Sequence, residues 1–142
     1  MTRSADDEER SQMSMVAIER CWLHEATAQS CAMSSRALRV IDAAEEFSTQ
    51  VQHLLKLHKG HISNAGQLSR AASGVSGNLS EGFGRGPGAE REHSFRIARG
   101  ECEEALTRLR DAHHGREISS KDFYPLSNRG VVIIRMINAL LH

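Results

Sequence analysis

Residues 67–83 read Gln67-Leu68-Ser69-Arg70-Ala71-Ala72-Ser73-Gly74-Val75-Ser76-Gly77-Asn78-Leu79-Ser80-Glu81-Gly82-Phe83. Leu68, Ala71, Ala72, Val75, Leu79 and Phe83 recur at steps of three and four, the spacing that lines one face of an α-helix. Most positions between them are small: Ser69, Ser73, Gly74, Ser76, Gly77 and Ser80. Each interior Gly costs about 1 kcal/mol relative to Ala. The expected offset is the close approach of another backbone, at Gly74 and Gly77 above all. The segment predicts a helix over about Ser63 to Phe83, buried on more than one side.

The same period appears on both sides of this stretch. Upstream, Val40, Ala44, Phe47, Val51, Leu54, Leu55 and His58 predict a helix from about Arg36 to His58, with Gly60 suited to a left-handed cap. Downstream, Gly84-Arg85-Gly86-Pro87-Gly88 is a loop. A helix over about Ala89 to His114 follows, with Phe95, Ala98, Cys102, Ala105, Leu106, Leu109 and Ala112 on its stripe. Its outer face offers the i,i+4 pairs Glu92–Arg96, Arg99–Glu103 and Glu104–Arg108. A last helix opens near Ser120 or Asp122, either of which can cap it. Pro125 then has to fall in the first turn, where its missing N–H bonds nothing. From Val131 to Leu141 this helix is apolar nearly all round, which predicts burial on all sides. Val131, Ile134 and Leu141 are expected to face the core, with Val132, Met136 or Ile133 turned elsewhere. Four such helices with short loops give an all-α, up-down-up-down four-helix bundle over residues 36–142.

Residues 1–35 form an acidic extension, with three Arg against six Asp and Glu. The expectation there is a disordered tail over 1–11 and a partly helical segment over 13–33, with Met15, Ile18, Trp22 and Ala26 on one stripe. Met33 offers a second start codon, which would leave 1–32 untranslated. Residues 36–142 carry fifteen Lys plus Arg against twelve acids, a surplus far below that of strongly basic nucleic-acid-binding domains. Cys21, Cys31 and Cys102 are odd in number and lack C-x-x-C spacing, which points to a reducing compartment. No apolar run approaches the ~20 residues that span a bilayer. The expectation is a soluble, cytoplasmic protein.

Gln67-Leu68-Ser69-Arg70-Ala71-Ala72, followed by Asn78-Leu79-Ser80-Glu81-Gly82-Phe83-Gly84-Arg85, resembles the signature of the four-helix bundle family also called the 23S ribosomal RNA intervening-sequence protein family. Phe95-x-Ile97-Ala98-Arg99-Gly100 and Glu104 extend the resemblance, as do Tyr124 and the apolar last helix. It covers about residues 36–142. The chain departs from the family pattern at Glu101 and Cys102, where Ser and Leu are usual, and at Ser63-Asn64-Ala65-Gly66, where Gly-Leu normally precedes the Gln. The resemblance implies a ring-like homopentamer and no established biochemical activity. One branch, the accessory variability determinant of diversity-generating retroelements, binds a reverse transcriptase and nucleic acid through a strongly basic surface, which the modest charge of this chain does not match.

Candidate sites are few. The signature residues Gln67, Arg70, Ala71, Ala72, Asn78, Glu81, Gly82 and Arg85 are expected to be structural, with Glu81–Arg85 an ordinary i,i+4 pair. Arg85, Arg91, Arg96 and Arg99, with Arg108 and Arg110 behind them, are the candidate RNA contacts. Interleaved acids and the lack of accompanying aromatics argue for a solvated face, or at most for contacts to phosphates. His53, His58, His61, His113 and His114 lack the spacing of a helical metal site, so no metal or cofactor is expected. His58 is expected to line the core edge and the others to face solvent. Cys102, on an apolar stripe, is expected to behave as a small hydrophobe and not as a nucleophile. The sequence therefore predicts a non-enzymatic homo-oligomeric scaffold that contacts RNA or a ribonucleoprotein, or else recruits only a protein partner.

Overall fold

Where the helical period was read in four segments, the computed structural model holds four helices. It describes residues 35–142; the acidic extension up to residue 34, its segment over 13–33 and the start at Met33 lie outside the described residues. Helix α1 runs over residues 35–57, α2 over Ala65–Gly84, α3 over Ala89–His114 and α4 over Ser120–Leu141, with no strand among the described residues.

Side-chain contacts fix the order of the helices. Ser48 Oγ lies 3.3 Å from Ser73 Oγ, and Gln52 Nε2 donates to Ser69 Oγ at 2.8 Å, so α1 and α2 run antiparallel. Asn64 Nδ2 donates to Arg108 O at 3.3 Å while Gly82 faces Phe95, which reverses α3 against α2. Arg99 donates to Asn138 Oδ1 at 2.9 Å and His113 Nε2 meets Ser120 Oγ at 3.0 Å, which reverses α4 against α3. Arg129 bridges to Glu46 at 3.0 Å and His58 Nε2 lies 3.6 Å from Asp122 Oδ2, closing α4 onto α1. Each helix has two antiparallel neighbours, the up-down-up-down arrangement. The α1–α2 and α3–α4 connections therefore share one end of the bundle, where Ser63 donates to Glu117 through its backbone N–H (3.2 Å) and its hydroxyl (2.7 Å).

The core is built from aliphatic side chains with Phe47 and Phe95 as its fully enclosed rings. All seven stripe residues of α3 are buried, and so is the α2 stripe from Leu68 to Leu79; Phe83 is half-buried, its ring tilted against Phe95 at 4.8 Å. Gly60, at φ +78°, follows α1 in the left-handed region that favours glycine.

Three local expectations are corrected. Helix α2 is not buried on a second side within the chain: Ser73, Gly77 and Ser80 are exposed. Gly77 has open space where a Cβ would stand, and Gly74 faces the flexible side chain of Glu101, not a backbone. The close approaches lie at other glycines. A Cβ on Gly82 would stand 2.8 Å from Phe95 Cε1, and one on Gly130 would stand 2.5 Å from Leu106 Cδ2. Next, the cap of α4 is Ser119, whose hydroxyl accepts from Asp122 N at 3.2 Å, so neither Ser120 nor Asp122 serves as the N-cap. The helix then begins early enough to put Pro125 beyond its first turn. Pro125 removes the helical partner of the Lys121 carbonyl, and both residues are exposed. Finally, the side of α4 that faces the core of the chain is not the expected one. Gly130, Ile133 and Ile137 face the core, while Val131 and Val132 are 39% and 51% exposed. Val131 thus points out where it was expected in, and Ile133 points in.

Gly130→Ala should destabilise the fold by about 1–3 kcal/mol through overpacking against Leu106, whereas Gly77→Ala should stabilise it by up to about 1 kcal/mol. Urea denaturation of the two variants checks both signs at once.

Candidate functional site

The signature residues are spread along α2 from Gln67, near its start, to Arg85, just past its end, and those from Asn78 on approach the α2–loop–α3 joint. Ala71 and Ala72 are fully buried in the core, and Gly82 lets Phe95 and Ser94 come against the α2 backbone. Asn78 turns back on its own helix, its Nδ2 donating to Gly74 O at 2.8 Å. Gln67 and Arg70 are exposed. Arg85 donates to Glu81 through Nη2 at 2.6 Å and to Glu90 through Nη1 at 3.0 Å, tying the end of α2 to the start of α3. Its hydrogen bond to Glu81, then that to Glu90, raises its already high pKa and keeps it charged.

Arg91 does something else. Its Nε and Nη2 donate to the carbonyls of Gly82 and Phe83 at 3.3 Å, and its guanidinium lies 5.7 Å from the centre of the Phe83 ring. The last carbonyls of a helix lack intrahelical partners and carry the negative end of its dipole. Arg91 supplies donors and charge to that end from the next helix. It also has an aromatic companion, contrary to the expectation that none of these arginines does.

The remaining arginines of the set are paired along α3. Arg96 meets Glu92 at 3.1 Å, and Arg99 meets Asn138 at 2.9 Å and, more loosely, Glu103 at 4.0 Å. Arg108 holds Glu104 at 2.7 Å and Asp111 at 3.9 Å. Arg85, Arg91, Arg96 and Arg99 thus do not converge on a shared unpaired surface. Arg110 alone of the wider set is exposed with no ion pair or hydrogen bond among the described residues.

The opposite end of the bundle holds a cluster that sequence spacing did not reveal. His113, expected in solvent, stacks on Phe123 with ring centres 4.3 Å apart and planes 3° apart. Tyr124 meets both rings at steep angles, 5.7 Å from His113 and 5.2 Å from Phe123. The signal was symmetry: residues equally distant from the tight α3–α4 turn face each other in an antiparallel pair, and His113 and Phe123 are each five positions from Ile118. His58 sits half-buried beside Asp122, at the edge of the core, while His53, His61 and His114 are exposed. Among the described residues no three His, Cys, Asp or Glu side chains stand together as a metal site would need. Cys102 is fully buried, donates to Gly130 O at 3.4 Å, and burial pushes its thiol up to about 12, so it is no nucleophile near neutral pH.

A family model matches residues 36–139, described as 23S rRNA-intervening sequence protein. The chain belongs to that family. A solved structure with the same fold comes from Bacteroides thetaiotaomicron, described as a protein of unknown function from the S23 ribosomal protein family. It aligns with a TM-score of 0.71 at 17% identity over 75% of this chain and 97% of the other. No curated protein matches. Within this member of the 23S rRNA-intervening sequence protein family, Gly82 and Arg85 lie at the α2–α3 joint while Gln67 and Arg70 are exposed nearer the start of α2, and the likeness to the solved structure is one of fold.

Arg91→Ala should cost about 1.5–3 kcal/mol, since it strips charged donors from two helix-end carbonyls. Arg96→Ala should cost under ~1 kcal/mol, the range of exposed ion pairs. Thermal unfolding of the two variants side by side checks the contrast; equal losses would mean that Arg91 is another solvated cation.

Proposed function

We propose that the protein is a non-enzymatic, homo-oligomeric scaffold of the cytoplasm, assembled through the outer face of α4. The observation that carries this reading is the adjacent exposed pair Val131 and Val132. Gly130, Ile133 and Ile137 satisfy the core, and successive helical residues turn by about 100°. Val131 and Val132 therefore leave the core on either flank, and both face water in the single chain. Val132 also lines a shallow cleft with Ala43, Glu46, Asn128, Arg129 and Ile133, and in the proposed assembly an apolar side chain of another copy seats there. A repeated contact of this kind buries the face in every copy when the ring closes. Five copies is the number that the family resemblance implies.

Cys102, the one cysteine among the described residues, is buried and protonated, so it does not serve as a nucleophile in this reading. No helix among the described residues is long and apolar enough to cross a membrane, in keeping with the proposed compartment. Contact with RNA, a ribonucleoprotein or a reverse transcriptase through Arg85, Arg91, Arg96 and Arg99 is the weaker reading. Three of these side chains have acidic partners and the fourth caps α2.

Light scattering on the purified chain should give a mass that is a multiple of 15.7 kDa. Val131→Ser with Val132→Glu should shift it to the monomer while leaving the helical circular dichroism intact. A parent that is already monomeric at micromolar concentration would sink the proposal; a dimer or tetramer would overturn only the five-fold number.

A further inference from the structure

The charge of the bundle is divided between its ends in a way the overall balance conceals. Residues 53–67 and 108–124 form the end that carries the α1–α2 and α3–α4 connections. They hold six Lys and Arg (Lys56, Lys59, Arg108, Arg110, Arg116, Lys121) against three acids (Asp111, Glu117, Asp122). The rest of residues 36–142 holds nine of each. The entire surplus of the domain therefore sits at this one end.

Its acids are turned to structural tasks. Glu117 accepts from the backbone and hydroxyl of Ser63, Asp122 completes the α4 cap and faces His58, and Asp111 lies by Arg108. Its cations are not. Of the six side chains, only that of Arg108 has an ion pair or hydrogen bond among the described residues. This is the reverse of Arg85, Arg96 and Arg99, each of which has an acidic partner. Between the free cations lies the aromatic cluster. Tyr124, 56% exposed, stands beside His113, and His113 is held in place by Phe123 and Ser120. Lys121 lies one turn before Tyr124 on α4, and Arg110 one turn before His113 and His114 on α3. Arg116 lines a shallow basin with His113, His114, Ser120 and Glu117, the last of these held by Ser63.

We propose that this end of the bundle is a docking surface for single-stranded nucleic acid. Arg110, Arg116 and Lys121 take the phosphates, and an unpaired base stacks on Tyr124 beside His113. Free cations alone would suit any polyanion. An exposed aromatic braced by a fixed imidazole among them is what selects a nucleic acid over an acidic peptide, because every base offers a face to stack. The surface lies wholly within one chain and does not require assembly through α4.

The test is fluorescence anisotropy of a labelled short single-stranded RNA of mixed sequence with the full-length chain, between about 50 and 200 mM salt. The parent should bind, and its affinity should fall with salt. Arg116→Glu with Lys121→Glu should weaken binding and lower the salt slope by about 1.4, at roughly 0.7 per lost phosphate contact. The charge-matched Arg85→Glu with Arg96→Glu should bind as the parent does. Tyr124→Ala should weaken binding roughly five- to 150-fold, and only for an RNA that has bases: parent and variant should bind an abasic oligomer alike. Circular dichroism confirms that each variant is folded. Failure of the parent to bind at the lowest salt would overturn the proposal, as would equal losses in the two charge-reversed variants. Displacement of the RNA by polyglutamate as readily as by unlabelled RNA would assign the surface to an acidic peptide instead.

Discussion

Two glycines set how near α3 stands to its neighbours. At Gly82 the α2 backbone lies against Phe95 and Ser94, and at Gly130 the α4 backbone lies against Leu106 and accepts from the Cys102 thiol. A methyl group at either place would overlap side chains that are themselves enclosed, and interiors packed to crystal density have little room to yield. With few aromatic residues to fill space, the core depends on such short distances. Arg91 reinforces the first contact by bonding the carbonyls at which α2 ends. The family signature around Gly82 and Arg85 reads most simply as the chemistry of this joint.

The second contact decides what α4 presents to the outside. Once Gly130 lies on the core side, helical geometry turns Val131 and Val132 away on opposite flanks, and Ile133 and Ile137 complete the inner face. The same rotation brings Lys121 and Tyr124 to the outer side near the start of the helix. One register thus yields two surfaces on one helix, an apolar one along its middle and an aromatic, basic one at its N-terminal end. They differ in chemistry and need not compete.

Helix positions, loop positions and the buried stripes were legible in the sequence because apolar spacing at three and four is a strong local signal. The stripes of α1 and α3 and the ion pairs Glu92–Arg96 and Glu104–Arg108 needed nothing more. What was illegible depends on partners distant in the chain. Gly74 and Gly77 look like contact glycines, yet which glycine meets a neighbour is set by the register between helices. The orientation of α4 was obscured because Val131 through Ile134 are all apolar, so periodicity could not say which of them face inward. The candidate arginines were correctly seen as interleaved with acids, but the role of Arg91 on the end of α2 required the loop to be folded. The pairing of His113 with Phe123 across the α3–α4 turn belongs to the same class of information.

In the proposed assembly α4 turns its Val132 side toward another copy of the chain. Double electron–electron resonance with a nitroxide on Val132→Cys, in a chain also carrying Cys21→Ser and Cys31→Ser, measures this directly, since Cys102 is buried and protonated. Dipolar coupling between labels on neighbouring copies is predicted, with the same distance across preparations. A decay that shows only the random background of separate molecules would contradict the account.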